Sequence, residues 1–248
     1  MSGLQKQSGY TLIEVILVVV ILGVLAAVAM KSMAQVTDTS RTEETKLEMI
    51  RLAIAIAGDP DRLSGGVRSD YGYIGDVGSL PSNWDALVTN PGYATWDGPY
   101  IQDEFATASA NTEFKLDAWG STYGSPAAAA FSSTGGSITI TRKVANSTAD
   151  LLYNSMTCSI CDLNLSPPGS IWRDSVKVLL IHPNGSGSMI TRTAWPTANG
   201  LIQIDSIPIG RHRLQIIIIP ENDTLRREVS INPGQDAYIN LQHFADVW

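Results

Sequence analysis

The sequence predicts an α+β protein in three parts: a long N-terminal helix, transmembrane in its first half, a small mixed domain packed on it, and an all-β sandwich. Residues 11–30 are apolar at every position except Thr11 and Glu14. No proline occurs from residue 11 to residue 57. Beyond residue 170, short segments of alternating polarity are separated by turn residues at regular spacing, which is typical of a β-sandwich.

The N-terminal helix is expected to cover residues 10–57, because the first break is the G-D-P-D run at residues 58–61. Twenty helical residues span about 30 Å, the thickness of a bilayer's hydrocarbon core, so residues 11–30 can cross a membrane. In the second half of the helix, apolar residues recur three or four positions apart. We expect this stripe to face a globular domain: Met33, Val36, Leu47, Ile50, Ile54 and Ala57.

The middle domain is expected at residues 58–165, where glycine, proline and aromatic residues become frequent. Residues 82–87 look like an N-capped helical turn, and residues 136–143 alternate like a strand. Trp84, Trp96 and Trp119 could form a ligand platform. An aromatic core is favoured, because this region has few aliphatic residues.

The C-terminal sandwich is expected at residues 171–248, after the proline and glycine joint S-P-P-G-S at residues 166–170. Six strands are predicted: V-K-V-L-L-I-H, S-M-I-T-R-T, G-L-I-Q-I-D, R-H-R-L-Q-I-I-I-I-P, T-L-R-R-E-V-S-I and A-Y-I-N-L-Q-H-F.

The charge balance argues against a nucleic-acid partner. The formal net charge is −7 and the isoelectric point is about 4.9, whereas binding to phosphates needs a basic face. We find no Ser/His/Asp set, phosphate loop or metal-ligand cluster in the sequence. The expectation is therefore a protein that is not an enzyme and has no cofactor.

Cys158 and Cys161 are the two cysteines of the chain. A zinc site would need two further ligands, and His182, His212 and His243 lie far away in the sequence. If this part lies outside the cytoplasm, we expect a local disulfide between the two cysteines. A thiol oxidoreductase pair is the alternative, although the βαβ context of such a motif is absent.

Glu14 is the unusual residue of the apolar run. A carboxylate in hydrocarbon costs about 2.5 to 3.5 kcal/mol, so such residues usually face a partner; the alternative is that Glu14 only reaches the membrane surface. The run is preceded by the polar S-G-L-Q-K-Q-S-G and lacks an A-x-A-like site behind it. This arrangement predicts cleavage in front of the apolar run, so that the helix stays in the mature protein.

The junction G-Y-T-L-I-E before an apolar run resembles the leader junction of type IV pilins and type II secretion pseudopilins. The resemblance implies a leader at residues 1–9 and cleavage by a prepilin peptidase between Gly9 and Tyr10, with N-methylation of Tyr10. Glu14 would become the fifth mature residue and serve assembly. The precursor would sit in the inner membrane, contact an assembly platform and self-associate into a helical filament in the periplasm or on the cell surface.

The globular parts carry two weaker resemblances. The run D-A-W-G-S-T-Y at residues 117–123 resembles major pseudopilins in outline, with Ala118 and Thr122 in place of two prolines. Asp117 lies in that run, but no acidic cluster follows it, so calcium binding is not carried over. The run S-I-P-I-G-R-H-R-L-Q-I resembles transthyretin-like or carboxypeptidase-regulatory-like sandwiches, which are structural or binding modules.

Three functions remain open from the sequence. The leading one is a filament subunit, either a surface pilin or a secretion pseudopilin. The others are a membrane-tethered thiol oxidoreductase outside the cytoplasm and a membrane-anchored surface-binding module. Lysine and arginine counts near the two ends of the apolar run favour the inverse orientation. The leader junction outweighs them, because it implies a dedicated export route.

Overall fold

Helix α1 runs from Leu12 to Ala57 in the computed structural model of the protein, which describes residues 11–101, 113–219 and 223–243. Its 46 residues agree with the predicted helix. The chain divides into two compact units, Met1–Glu44 and Thr45–Trp248. The described residues continue after α1 into short elements and then into sheets, so the predicted α+β class is confirmed.

The first unit exposes its apolar side chains. From Leu12 to Met30 the large aliphatic side chains are between 49% and 80% exposed. By length and composition, α1 is the one helix among the described residues that could cross a membrane. A surface this apolar has to be covered by lipid or by other helices.

The last turns of α1 belong to the second unit and pack into its first core. Met49, Leu52 and Ile56 are buried there, whereas Leu47 is 60% exposed. Of the predicted stripe, Ala57 is buried, Ile50 and Ile54 are half-buried, and Leu47 is exposed, so the prediction is wrong for Leu47 and only partly correct for the rest of this segment. The buried face includes Thr45. Because threonine is polar, the pattern of apolar residues in the sequence does not indicate this face.

Arg68 caps the C-terminal end of α1. Its Nη2 donates to the carbonyl oxygens of Ala57 at 2.5 Å and Gly58 at 3.2 Å, and its Nε donates to the Asp70 carbonyl at 2.8 Å. A cation is favourable at the negative end of a helix. Gly58 has φ +79°, and a Cβ there would lie 2.3 Å from the Asp70 carbonyl oxygen. This turn thus requires glycine.

The middle region consists of short elements around an aromatic core. Trp84 lies edge-on to Phe131 with centroids 5.0 Å apart, and its indole N–H donates to the Gly124 carbonyl at 3.1 Å. These contacts favour the core role expected for this tryptophan. The elements are β1 (Leu63–Ser64), β2 (Val67–Arg68), α2 (Gly72–Val77), 3-10 turns at Trp84–Leu87 and Glu113–Lys115, β3 (Ala130–Ser133), β4 (Ile140–Lys143) and α3 (Thr148–Leu152).

The predicted turn and strand of this region are both present with shifted ends. Asn83 caps the 3-10 turn at Trp84–Leu87 by accepting a hydrogen bond from the Ala86 backbone N–H at 3.1 Å. The predicted strand at residues 136–143 is limited to its second half, β4, which pairs with β3 in an antiparallel hairpin.

The β-sandwich consists of seven strands and one short helix. The strands are β5 (Asn154–Cys161), β6 (Val176–Pro183), β7 (Met189–Ala194), β8 (Leu201–Ile207), β9 (Gly210–Ile218), β10 (Asp223–Ile231) and β11 (Ala237–Gln242), with the helix α4 (Gly169–Trp172) between β5 and β6. They form two sheets, one with the strand order β10-β9-β6-β7 and the other β11-β5-β8, and the inner faces of the two sheets share one apolar core. Each of the six predicted strands is present.

Strand β5 lies before the joint at residues 166–170, where the sequence predicts the sandwich to begin. It pairs in parallel with β11 and antiparallel with β8, so it occupies the centre of the second sheet. The sandwich of the structure therefore starts upstream of the predicted joint, within the region first assigned to the middle domain.

The sandwich and the middle region contact each other through backbone groups. The Gly185 N–H donates to the Val77 carbonyl at 2.8 Å, and the Ile209 N–H donates to the Leu151 carbonyl at 2.9 Å. Tyr71 adds a bond from its hydroxyl to Asn232 Oδ1 at 3.0 Å. One end of the sandwich is thereby attached to the middle region.

A pair of buried histidines lies near this attached end. His182 and His212 have ring centroids 5.7 Å apart, and each ring donates to a proline carbonyl at 2.8 Å, those of Pro183 and Pro208. The pKa of His212 is lowered to about 4, mainly by burial, which the bond to Pro208 partly offsets and the neighbouring His182 reinforces. Burial also lowers the pKa of His182. Both rings are thus neutral in the folded protein at pH 7.

This burial predicts that His212 makes the fold sensitive to acid. An unfolded histidine takes up a proton near pH 6.5, but the folded His212 does so only near pH 4. Its contribution is therefore present above pH 6.5 and is lost as the pH falls, by about 2 kcal/mol at pH 5. Urea unfolding of the wild type and of His212→Gln should show a stability difference that changes by this amount between pH 7 and pH 5. Parallel pH profiles would contradict the prediction.

Candidate functional site

The N-terminal end of α1 holds a capping box formed by Thr11 and Glu14. Glu14 Oε2 accepts from the Thr11 backbone N–H and from Thr11 Oγ1, both at 2.9 Å, and the Glu14 N–H donates to Thr11 Oγ1 at 3.4 Å. Thr-x-x-Glu is a helix-start signature, and the reciprocal bonds satisfy amide groups that the helix leaves unpaired. This local role of Glu14 was missed in the sequence, although T-L-I-E carries the signal.

The capped carboxylate remains on the surface of the first unit. Leu12, Ile13 and Val15 around it are all at least half exposed. A carboxylate favours the positive N-terminal end of a helix, so Glu14 is held at a defined place beside apolar surface. It can accept further hydrogen bonds or pair with a cation from outside its own helix.

The predicted cleavage residues, Gly9 and Tyr10, lie outside the described residues. Thr11, the first described residue, is the second residue after the predicted cleavage point.

The two cysteines are free thiols, which corrects the predicted disulfide. Both lie on β5, where Cys158 faces the core and Cys161 faces outward. Residues three apart on a strand are about 10 Å apart and point to opposite faces, whereas a disulfide needs Cα atoms within about 7 Å. The short spacing suggested a turn, but the segment is extended.

The cysteines also lack the setting of a reactive pair. Burial raises the pKa of the Cys158 thiol to about 11. Burial, followed by the charge of Asp162, raises the pKa of Cys161. Nucleophilic cysteines need a lowered pKa and an exposed, electropositive setting, so this geometry does not favour thiol exchange.

Asp117 organises the run that resembles pseudopilins. Its Oδ1 accepts from the N–H groups of Trp119 at 3.0 Å and Ser121 at 2.9 Å. Its Oδ2 accepts from Ser133 Oγ at 2.6 Å and the Gly135 N–H at 3.0 Å. Burial raises the pKa of Asp117, but these four bonds outweigh it, so the pKa lies below its ordinary value. The carboxylate is thus a structural anchor between two loops.

The same run contacts the last turns of α1. The Ala118 N–H donates to Thr45 Oγ1 at 3.2 Å, and the Tyr123 hydroxyl donates to Glu48 Oε2 at 2.6 Å. The anchor at Asp117 therefore positions the groups that hold the helix. Among the described residues, there is no group of three or more His, Cys, Asp or Glu side chains that could hold a metal ion.

Residues 4–30 match the family model of the prokaryotic N-terminal methylation motif. The match includes the leader junction, Glu14 and the apolar run, and it supports a type IV pilin-like precursor. Such a motif implies processing by a prepilin peptidase, filament assembly in general and a membrane-anchored precursor.

The other two comparisons are weaker. No curated protein matches the chain. Among solved structures, the chain is similar to a DUF3823 family protein from Parabacteroides merdae, with 12% sequence identity and a TM-score of 0.28. The similarity covers 37% of this chain and 46% of that chain, so it spans less than half the length of the solved protein.

Proposed function

We propose that this protein is a structural subunit of a type IV pilus-like filament. A prepilin peptidase cuts it between Gly9 and Tyr10, the new amino terminus of Tyr10 is methylated, and subunits pack through the apolar half of α1. The observation that carries the proposal is the methylation motif at residues 4–30, placed on a helix whose apolar surface is exposed and whose Glu14 is held at its start.

The electrostatics of the helix start suit this role. Cleavage would create a cationic amine one turn from Glu14, where the helix dipole disfavours a cation. In a dry filament core an unpaired charge is costly, and pairing the amine of one subunit with Glu14 of another neutralises both. The capping bonds from Thr11 keep the carboxylate in place for that contact.

The proposal covers both a surface pilin and a type II secretion pseudopilin. The pseudopilin interpretation is supported by the D-A-W-G-S-T-Y run and its contacts with α1. The surface pilin interpretation is supported by the sandwich, which would lie on the outside of a filament. Shearing filaments from cells and measuring whether this chain is their main component separates the two.

Mass spectrometry of the membrane-purified chain tests the processing step. We expect the intact mass of a chain that starts at Tyr10 and carries one added methyl group, when a prepilin peptidase is present. Gly9→Val should leave the full-length precursor, because the peptidase site would then be too bulky. A wild-type chain that keeps residues 1–9 in the presence of an active peptidase would contradict the proposal.

The alternative functions receive less support. A membrane-tethered thiol oxidoreductase would need Cys158 to reach solvent, and this side chain is fully buried. A membrane-anchored surface-binding module would use the sandwich without subunit packing through α1. In that case, loss of the Glu14 charge would leave the surface binding of the module unchanged.

A further inference from the structure

The outer face of the sheet β10-β9-β6-β7 carries a cluster of arginines. Buried and exposed side chains alternate along β9, so Arg211 and Arg213 point outward. In the register of β9 with β10, Glu228 lies opposite Arg213 and Arg226 lies opposite Gln215, which places these side chains on the same face. Arg211 forms an ion pair with Glu228. On these two strands, three guanidinium groups and a single carboxylate, that of Glu228, thus lie on this face.

The same face has an aliphatic part beside the arginines. Strand β6 turns Leu179 and Ile181 outward, both half-buried, and Ile181 pairs with Arg213. A solvated sheet face is ordinarily polar, whereas arginines around apolar side chains are typical of protein interfaces. We call this surface the arginine face and define it by Lys177, Leu179, Ile181, Arg211, Arg213, Gln215, Ile217 and Arg226.

The middle region of the chain has the opposite charge. Its described residues, 58–101 and 113–153, contain nine Asp and Glu against five Lys and Arg. Several of these carboxylates, including Asp61, Asp97 and Glu113, are exposed. The arginine face is therefore a positive surface on a protein whose net charge is −7, and a second copy of the chain offers the complementary charge.

We propose that the arginine face binds the acidic middle region, in its described residues 58–101 and 113–153, of a neighbouring copy of this chain. The inference rests on the proposed function, because filament assembly is what brings many copies into contact. Burial of the aliphatic part supplies apolar contact, while the arginines select the orientation in which opposite charges meet. The sandwich is then part of the contact between subunits.

Charge reversal in the full chain tests the interaction. Arg213→Glu combined with Arg226→Glu should lower the yield of sheared filaments about tenfold, because two attractive contacts become repulsive. The matched control combines Arg173→Glu with Arg227→Glu, two exposed positions outside both the arginine face and the acidic middle region, with the same change in charge. The control should assemble within about twofold of the wild type.

A photo-crosslinking residue identifies the occupant. Gln215→p-benzoylphenylalanine places the probe between Arg213 and Arg226 while keeping every arginine. In assembled filaments we expect crosslinked peptides from the acidic middle region of a second copy. Crosslinks to a lipid, a polyanionic polysaccharide or another protein would overturn the proposal, as would filaments that contain the probe and give no crosslink between copies.

Parallel samples of the wild type and of Glu14→Ala separate failure of the arginine interface from failure of the filament function. If Glu14→Ala loses filaments while the arginine double variant assembles like its control, the arginine interface is wrong and the filament function stands. If Glu14→Ala assembles as the wild type does, only the assembly role of Glu14 is contradicted. If the wild type itself gives no sheared filaments that contain this chain, the filament function is contradicted.

Discussion

Replacing Glu14 with alanine is expected to abolish incorporation into filaments, with a loss of at least about a hundredfold. The variant removes both the capping acceptor for Thr11 and the only negative charge of the apolar run. Loss of one partner from a buried ion pair costs about 3 to 5 kcal/mol, which corresponds to at least this factor. The measurement is the amount of the chain in sheared filaments relative to the membrane fraction.

Glu14→Gln is the matched control, because it separates capping from charge. Glutamine at this position still accepts the N–H bond of a capping box, but it cannot neutralise an amine. We expect Glu14→Gln to fail in assembly as Glu14→Ala does, while both variants are processed and kept in the membrane. Normal assembly of Glu14→Gln would mean that Glu14 serves only to cap its helix.

Asp117→Ala is expected to destabilise the second unit by about 4 kcal/mol. The substitution leaves four donors without the carboxylate that now accepts from them. Bonds to a charged acceptor contribute about 1.5 to 3 kcal/mol each, and the unsatisfied donors add to the cost. Because these values are not additive, the sum is an upper limit. Urea unfolding of the full chain in detergent, followed by tryptophan fluorescence, measures the change.

Asp117→Asn and Asp174→Ala are the controls for this loss. Asparagine keeps one acceptor oxygen and should cost about half as much. Asp174 is exposed, so Asp174→Ala should change the free energy of unfolding by less than about 0.5 kcal/mol. Equal stabilities of Asp117→Ala and Asp174→Ala would show that the hydrogen bonds to Asp117 do not stabilise the fold.

The elements predictable from the sequence were those with strong local patterns. The long helix follows from an uninterrupted run without proline, and six strands follow from alternation between clear turn residues. Strand β5 was missed, although S-M-T-C-S-I-C alternates, because its two cysteines suggested a closed turn. The buried face of α1 was misassigned because Thr45 is polar and its partner, the Ala118 N–H, lies 73 residues away in the sequence.

The functional features also divide into those set by neighbouring residues and those set by contacts between distant parts of the chain. Thr11 and Glu14 are three residues apart, so T-L-I-E is sufficient to predict their capping box, although it was missed. The anchor at Asp117 depends on Ser133 and Gly135, which reach it through the fold from a separate loop. The arginine face depends on strand register, since only the pairing of β9 with β10 places Arg226 beside Arg213.

The parallel pairing of β11 with β5 constrains how the protein is made. Cys158 pairs with Ile239, so the central strand of the second sheet cannot complete its pairing until a strand about eighty residues later in the chain has been synthesised. Contacts this distant form late and slowly. The whole stretch from β5 to β11 must therefore arrive on one side of the membrane before the sandwich closes. For a filament subunit of the kind proposed above, we therefore expect export of the chain to precede folding of the sandwich.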